Sequence, residues 1–364
     1  MIEVFHKKSV AALYGLMLTS VMLTACSSDD ADITTSMNDT PWDGRIVLSS
    51  NLTDVTRGTS VTHTTQGSNT VFAAGMNVDL FLSENGANTP TYEGEAYYLQ
   101  STAPSGDGAN GIGNFSFYAN SGRTGDAITK YWPASGNGLY FYAYYPAGAI
   151  TGPVISTTTT PQTFTCDADQ GAADGSLGSD LMFGVPSANP IGTGAFNPIA
   201  RPTGLTMAAN AVNLNFTHCL SKVVVIIRGD GNGLAVDDAK LTGAKVELGN
   251  EDMYNQASVV PNTGAATATG SANQTFTVKA TTNTSLTNYC IIPPQLLTGK
   301  TIKVTLADGG SKTYTIPQDA SADVEATAGK VYTYTITVGL YSMSVTSTVT
   351  DWTPDVSVSE TIYI

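Results

Sequence analysis

Apolar and polar residues alternate over short stretches along most of the chain, which is the pattern of half-buried β-strands. Val78, Leu80 and Leu82 share one face of such a stretch, and residues 331–338 alternate in the same way. No long segment shows clear helical periodicity. Strands are predicted at 45–52, 71–73, 78–82, 92–99, 113–118, 138–146, 211–216, 222–228, 244–248, 274–279, 289–293, 300–306, 312–316, 331–338, 341–349 and 355–364. The sequence therefore predicts an all-β protein.

A loop-rich middle region separates two strand-rich halves. Residues 150–202 contain one compact apolar element, 180–184. The second half contains the apolar run 222–228, which is typical of a strand buried on both faces. A chain of 364 residues is long enough for two cores. We therefore predict an N-terminal β-sandwich domain at 44–202 and a C-terminal one at 203–364.

The first 25 residues have the layout of a secretory signal peptide. Lys7 and Lys8 precede a mainly apolar stretch that is too short and too polar for a permanent membrane helix. The stretch ends in Leu-Thr-Ala-Cys at residues 23–26, which resembles the lipobox of bacterial lipoproteins. This resemblance implies cleavage before Cys26 and a diacylglyceryl group on its sulfur, with further acylation by fatty acids such as palmitate.

Residues 26–43 are polar and predict a flexible acidic stalk. Within it, residues 27–32 resemble the acidic tag that directs lipoproteins of Bacteroidetes to the outer face of the outer membrane, and the alternative is an ordinary solvated linker. Two or three acyl chains bind a membrane durably. We expect the lipid on Cys26 to anchor a surface-exposed protein in the cell outer membrane.

The charge balance limits the other partners. The chain has 16 Lys and Arg residues against 30 Asp and Glu residues, a net charge of −14. Such a chain lacks the basic surface that nucleic acid requires, and it gains no attraction from anionic lipid. Membrane contact is therefore expected only through the acyl group.

Residues with catalytic or metal-binding chemistry are few. His218 lies beside Cys219, and neighbours on a strand point to opposite faces, so the two cannot work as a nucleophile pair. A loop that starts at Cys166 contains only part of a calcium-binding pattern, and the Arg-Gly-Asp sequence at 228–230 is more simply a turn. No serine-hydrolase elbow, zinc-protease helix or phosphate loop is present. We expect no enzymatic activity, no cofactor and no metal site.

Three cysteines remain after Cys26, namely Cys166, Cys219 and Cys290. An odd number cannot form a complete disulfide framework. Cys219 and Cys290 could pair if their strands are neighbours. The alternative is that these cysteines are small buried hydrophobic residues.

The most aromatic part of the chain is residues 138–146. One interpretation is a stacking platform for sugars. The other is a core strand, because Leu139, Phe141 and Ala143 alternate with a row of tyrosines and so suit a strand with two buried faces. The alternation favours the core strand.

Several segments, taken in order, resemble the fimbrillin family, the Mfa-like and FimA-like surface lipoproteins of Bacteroidales. They are Thr56-Arg57, Tyr131-Trp132-Pro133, 139–146, Asp180-Leu181-Met182, 215–223, 291–295, 328–332 and Asp351-Trp352. The resemblance covers nearly all of the chain after the stalk. It implies two tandem transthyretin-like β-sandwich domains and a structural subunit of a fimbria (pilus) that supports adhesion, with other fimbrial subunits as partners in a homopolymer or heteropolymer.

The resemblance also implies a mechanism of assembly by donor-strand exchange. A processing protease of trypsin-like specificity cuts the precursor after an arginine beyond the first strand, and the C-terminal strand of a neighbouring subunit fills the groove that is left. Arg57, followed by Gly58, lies in a polar loop that suits cleavage, and Arg45 is the competing site.

The donor strand implied by this mechanism is residues 355–364. Its apolar face consists of Val356, Val358, Ile362 and Ile364. Glu360 lies on the same face and is a departure from an apolar donor. The alternative to a fimbrial subunit is a monomeric surface lipoprotein that binds a glycan or a host ligand, with the 140–145 region or nearby loops as the contact.

Overall fold

A computed structural model of the protein describes residues 41–52, 63–66, 69–87, 89–102, 114–171, 178–186, 197–229, 241, 243–280, 287–339, 343–352 and 362–363. Residues 37–364 form one compact unit. The described elements are 24 strands and one short 3₁₀ helix, Ala208–Asn210. The strands are β1 Val47–Leu52, β2 His63–Gln66, β3 Asn69–Phe72, β4 Asn77–Glu84, β5 Glu93–Ser101, β6 Phe115–Tyr118, β7 Leu139–Tyr145, β8 Gln162–Thr165, β9 Met182–Val185, β10 Ala211–His218, β11 Ser221–Gly229, β12 Lys245–Met253, β13 Gln256–Val259, β14 Ala266–Thr269, β15 Gln274–Thr277, β16 Lys279–Ala280, β17 Thr287–Ile292, β18 Gln295–Leu296, β19 Thr301–Thr305, β20 Ser311–Thr315, β21 Glu325–Ala326, β22 Lys330–Val338, β23 Met343–Asp351 and β24 Ile362–Tyr363. The all-β prediction is confirmed.

Four sheets contain most of the strands. Sheet A has seven strands in the order β1-β10-β9-β7-β4-β5-β6, and sheet B has six in the order β16-β17-β11-β22-β23-β24. Sheet C is β15-β12-β19-β20 and sheet D is β14-β13-β8. Two described strand pairs are parallel, β1 with β10 and β11 with β22, and the other described pairs are antiparallel. Two short pairs, β18-β21 and β2-β3, complete the described set.

Strand β7 lies in the middle of sheet A and is buried on both faces. Phe141 and Ala143 pack into one apolar cluster, whereas Tyr142 and Tyr144 pack into another. Tyr142 is 1% exposed and Tyr145 is 4% exposed. The core interpretation of residues 138–146 is therefore confirmed. Tyr142, Tyr144 and Tyr145 are too deeply buried to stack on a sugar, whereas Tyr140 is half-buried.

Strand β11 is central in sheet B, between antiparallel β17 and parallel β22. Val223, Val225 and Ile227 are fully buried on one face, and Val224 and Ile226 are half-buried on the other. The burial is thus complete on one face only. Sheets B and C share this core, because residues of β12 and β19 belong to the same apolar cluster.

The same cluster also reaches into sheet A. It contains Phe81 and Phe183 of that sheet together with Val223 of sheet B. Strand β10 follows the predicted boundary at 203 in sequence but pairs within sheet A, so sheet membership changes between His218 and Ser221. Strand β8 precedes that boundary but pairs with β13. The division into domains at 44–202 and 203–364 stays a prediction.

None of the helices that the described residues form is long and apolar enough to span a membrane.

Candidate strand-exchange site

The candidate site is the edge of sheet A that β1 forms. Strand β1 pairs with β10 in parallel from Val47↔Ala211 to Leu52↔Phe216, and it has no described partner strand on its other side. Two side-chain hydrogen bonds join residues that are already paired in this register. Ser49 Oγ donates to Asn213 Oδ1 at 3.2 Å, and Asn51 Nδ2 donates to Asn215 Oδ1 at 3.0 Å. A parallel edge strand held by one neighbour is the least supported position in a sheet.

The inner face of β1 covers an apolar groove. Leu48 and Leu52 are 1% and 2% exposed and belong to the cluster that contains Phe72 and Phe216. The rings of Phe72 and Phe216 meet edge to face with centroids 4.9 Å apart. Removal of β1 would expose this apolar surface to water, which costs free energy in proportion to its area.

A buried polar pair lies on the same face, between the two leucines. Ser50 N donates to Asn114 Oδ1 at 2.7 Å, and Asn114 Nδ2 donates to Ser50 Oγ at 2.9 Å. Asn114 is fully buried. A buried amide without partners is costly, so a strand that replaced β1 would have to satisfy Asn114 as well. The lone Ser50 between Leu48 and Leu52 was the sequence signal for this pair, and the sequence analysis missed it.

The residues before β1 are fixed to the rest of the unit. Trp42 N donates to Leu205 O at 3.0 Å, Ile46 N donates to Lys130 O at 2.7 Å, and Trp132 N donates to Gly44 O at 3.0 Å. Arg45 forms an isolated antiparallel bridge with Tyr131. Its backbone is therefore held in ordered structure.

The Arg45 side chain also forms a salt bridge. Its guanidinium pairs with the Asp43 carboxylate at 2.6 Å. The hydrogen bond from Arg45 lowers the pKa of Asp43, and the same bond raises the pKa of Arg45. A protease needs a local segment that can leave the fold, so this geometry disfavours Arg45 as a cleavage site.

Most of the predicted site residues lie outside the described residues. These are Cys26, Arg57, Gly58, Val356, Val358 and Ile364. Arg57 follows the end of β1 at Leu52 by five positions in the sequence. Ile362 lies in β24, where it pairs with Ser347 of β23, and Tyr363 pairs with Thr346.

Trp352 directly follows β23, the strand of sheet B that ends at Asp351. The residue is fully buried, and its N donates to Gly329 O at 2.8 Å. Its ring stacks on that of His218, the last residue of β10, with centroids 3.5 Å apart and planes 2° from parallel. The base of the predicted donor segment thus contacts the end of the strand that β1 covers.

His218 and Trp352 belong to a buried polar cluster. His218 Nδ1 lies 2.7 Å from Asp180 Oδ1. Lys222 Nζ lies 4.6 Å from the Tyr289 ring centroid and 5.7 Å from that of Trp352. Burial lowers the pKa of Lys222 to about 8, against a smaller opposing effect of the Asp180 charge. The buried position of His218 fits a structural role.

This cluster is where the scattered sequence segments meet. The 180–182, 215–223, 328–332 and 351–352 segments each contribute to it, through contacts that include Gly329 N to Leu220 O at 2.9 Å. Their order along the chain was visible in the sequence, but their convergence on one cluster was not.

The three described cysteines are free and buried. Cys290 lies opposite Val223 across β17 and β11, whereas Cys219 precedes β11 and donates its N–H to Leu181 O at 2.8 Å. The Cys219–Cys290 pair therefore does not form, although the strands are neighbours. Burial raises the pKa of all three thiols.

Metal-binding side chains are not grouped in the described part of the chain, in which no three His, Cys, Asp or Glu residues are placed to hold an ion.

The architecture defines an all-β protein with two large sheets, each of which presents an edge strand that a strand from another chain could join. The family model described as "Fimbrillin-like" matches residues 56–352. The chain belongs to this fimbrillin-like family, and the resemblance noted in the sequence is confirmed.

Relatives support the same assignment. The "Putative fimbrium subunit Fim1C" of Bacteroides uniformis is 25% identical over 346 residues, which cover 94% of this chain and 95% of the relative. A crystal structure of a "putative cell adhesion protein" from Bacteroides uniformis has a TM-score of 0.56 at 22% identity and covers 86% of this chain and 100% of its own. A second, from Bacteroides ovatus, has a TM-score of 0.57 at 17% identity and covers 86% of this chain and 99% of its own. The two structures show a shared fold.

Proposed function

We propose that the protein is a structural subunit of a cell-surface fimbria that assembles by donor-strand exchange and supports adhesion. The observation that carries the proposal is the position of β1, a parallel edge strand over an apolar groove with Arg57 shortly after it. Membership in the fimbrillin-like family and the similarity to a protein named as a fimbrium subunit support it. The partners are other fimbrial subunits.

The precursor is exported, lipidated on Cys26 and anchored in the outer membrane. Cleavage between Arg57 and Gly58 by a processing protease then separates residues 26–57, which include β1, from the rest of the chain. The ordered, bridged backbone of Arg45 supports Arg57 as the site. Because Cys26 leaves with β1, the lipid tethers only the precursor.

Loss of β1 leaves β10 as an edge with unpaired N–H and C=O groups above the Phe72–Phe216 surface. A donor strand restores the backbone hydrogen bonds of β10, and its apolar side chains cover the exposed surface again. The donor is residues 355–364 of a neighbouring subunit, with Val356, Val358, Ile362 and Ile364 on its apolar face.

Mild trypsin treatment of the protein from Cys26 onward tests the proposal, with N-terminal sequencing and a native gel as measurements. We expect a new N-terminus at Gly58 together with a ladder of polymers. The matched controls are Arg57→Ala, which should stay uncut and monomeric, and deletion of residues 355–364, which should be cut and stay monomeric. Cleavage at Gly58 of the full chain without any polymers would contradict the proposal.

A further inference from the structure

Two exposed surfaces of opposite charge lie outside the exchange site. The first, which we call the basic patch, consists of Lys130, Tyr131, Arg201 and Leu205. Tyr131 is 50% exposed and Leu205 is 87% exposed, the two highest values among the large apolar residues described as exposed. Such residues close together on a surface mark an interaction site more often than isolated ones do.

The patch is held together by the segment before β1. Tyr131 bridges Arg45 on one side of that segment, and Leu205 O accepts from Trp42 N on the other. The Arg201 guanidinium carbon lies 5.7 Å from the Trp42 ring centroid. These contacts bring residues 130–131 and 201–205 to the same surface.

The patch also carries uncompensated positive charge. Neither Lys130 nor Arg201 takes part in a salt bridge with a described residue, whereas Arg45 is paired with Asp43. Lys130 Nζ lies 4.8 Å from the Tyr97 ring centroid. Arg201 is exposed and Lys130 is half-buried.

The second surface, which we call the acidic groove, is a cavity of about 390 Å³ between β20 and β23. Its walls include Tyr314, Tyr334 and Val349, and its carboxylates are Asp319, Asp323 and Glu325. All three acidic residues are exposed, and no lysine or arginine is among the described residues that line the groove.

The groove lies beside β20, the last strand of sheet C, and beside β23 of sheet B. Val349 of β23 is 46% exposed. The groove thus combines apolar walls with a negative rim, the complement of the basic patch.

We propose that the basic patch of one subunit docks into the acidic groove of a second copy of this chain. Leu205 and Tyr131 supply apolar side chains for the tyrosine-lined walls, and Lys130 and Arg201 face the carboxylates. The two surfaces are different parts of one molecule, so the contact is heterologous and propagates from copy to copy. It goes beyond strand exchange and does not depend on it.

The contact is proposed for the unprocessed subunit. Residues 41–45, which hold the basic patch, lie within residues 26–57 and would leave on cleavage after Arg57. Docking through this patch therefore belongs to the precursor, before strand exchange.

Charge reversal tests the contact in the unprocessed protein, where both surfaces are present. Sedimentation equilibrium should show weak self-association that weakens between about 50 and 500 mM NaCl. K130E/R201E and D319K/D323K should each lower the association constant about tenfold. The chain with all four changes, and an equimolar mixture of the two double variants, should each restore it to within about threefold.

Rescue separates the contact from a folding defect, because a misfolded variant would not recover on mixing. Loss of association in both double variants without rescue would overturn the proposal. Unchanged association in both would also overturn it and leave the groove to another occupant, such as the chain's own C-terminal residues or a saccharide. Neither result depends on whether cleavage at Arg57 produces polymers.

Discussion

Weakening β1 should open the acceptor groove without a protease. Leu48→Ala removes a side chain that is 1% exposed, at the second position of β1, opposite Val212. Truncation of a leucine that is this deeply buried lowers the free energy of unfolding by about 2–5 kcal/mol. Because a sheet edge can relax around the lost side chain, we expect a value in the lower half of that range, about 3 kcal/mol. Since each 1.4 kcal/mol is a factor of about ten, the population with β1 released should rise roughly a hundredfold.

Hydrogen exchange measures this population directly. Amides of β10 that bond to β1 should exchange roughly a hundredfold faster in Leu48→Ala, while amides in the interior of sheet B should change less. The uncut variant should also form polymers on a native gel. Leu296→Ala is the matched control, because Leu296 is 45% exposed and its loss should cost about 0.5 kcal/mol or less.

Two results would refute this reasoning. If β10 and sheet B exchanged faster by the same factor, β1 would leave only on global unfolding and could not act as a separable blocking strand. If Leu48→Ala cost less than about 1 kcal/mol, the groove beneath β1 would not be the apolar surface that the structure describes.

Three further predictions concern the cores. Gly184→Ala should lower the free energy of unfolding, measured in urea, by about 1–3 kcal/mol, because a Cβ there would lie 2.6 Å from the Phe216 ring. Gly178→Ala is the control and should be close to neutral, because a Cβ there would have nothing within 4 Å. Equal effects would contradict the close packing of Gly184 against Phe216. The contribution of Lys222 to stability should rise as pH increases from about 8 toward 10, because its lowered pKa makes the folded state bind fewer protons there than the unfolded state. The raised pKa of the three buried thiols gives an opposing fall as pH rises, so the rise is measured as the difference in unfolding free energy between the wild type and Lys222→Met. Lys222→Met should remove this rise, and an unchanged pH profile in the variant would exclude Lys222 as its source. With Cys26 replaced by Ser, a thiol reagent should label none of the three buried cysteines in the native protein and all three in urea; rapid labelling of native protein would show that the thiols are accessible.

The sequence predicted most strands of the two large sheets because their side chains alternate strongly. β7 and β22 were placed within a residue or two of their observed bounds. β8, β13 and β14 were missed. The Ala-Thr-Ala-Thr of β14 is too small to stand out from loops. The Gln-Thr-Phe-Thr of β8 also forms β15, which was predicted because Val278 continues the alternation there, whereas Cys166 and Asp167 follow β8. β2 was assigned to a loop because its residues are too polar to stand out.

The pairing of strands that are far apart in the sequence could not be predicted from local alternation of side chains. Ser49 and Asn213 are 164 residues apart, and nothing near either one specifies a parallel partner. The candidate site therefore came from the sequence as separate parts, a first strand and an arginine in a loop. That β1 is an edge strand, and that Trp352 stacks on His218, emerged only from the three-dimensional arrangement.

The short connection between β10 and β11 has a mechanical consequence. Only Cys219 and Leu220, both fully buried, separate β10, the neighbour of β1 in sheet A, from β11 in the interior of sheet B. A pull on a strand seated along β10 would act along the hydrogen-bonded ladder and load its bonds together rather than one at a time. The force would then pass through two residues into β11 and across to its parallel neighbour β22. A fibre built from such subunits would carry tension through the interior of each sheet, with only Cys219 and Leu220 between the two sheets.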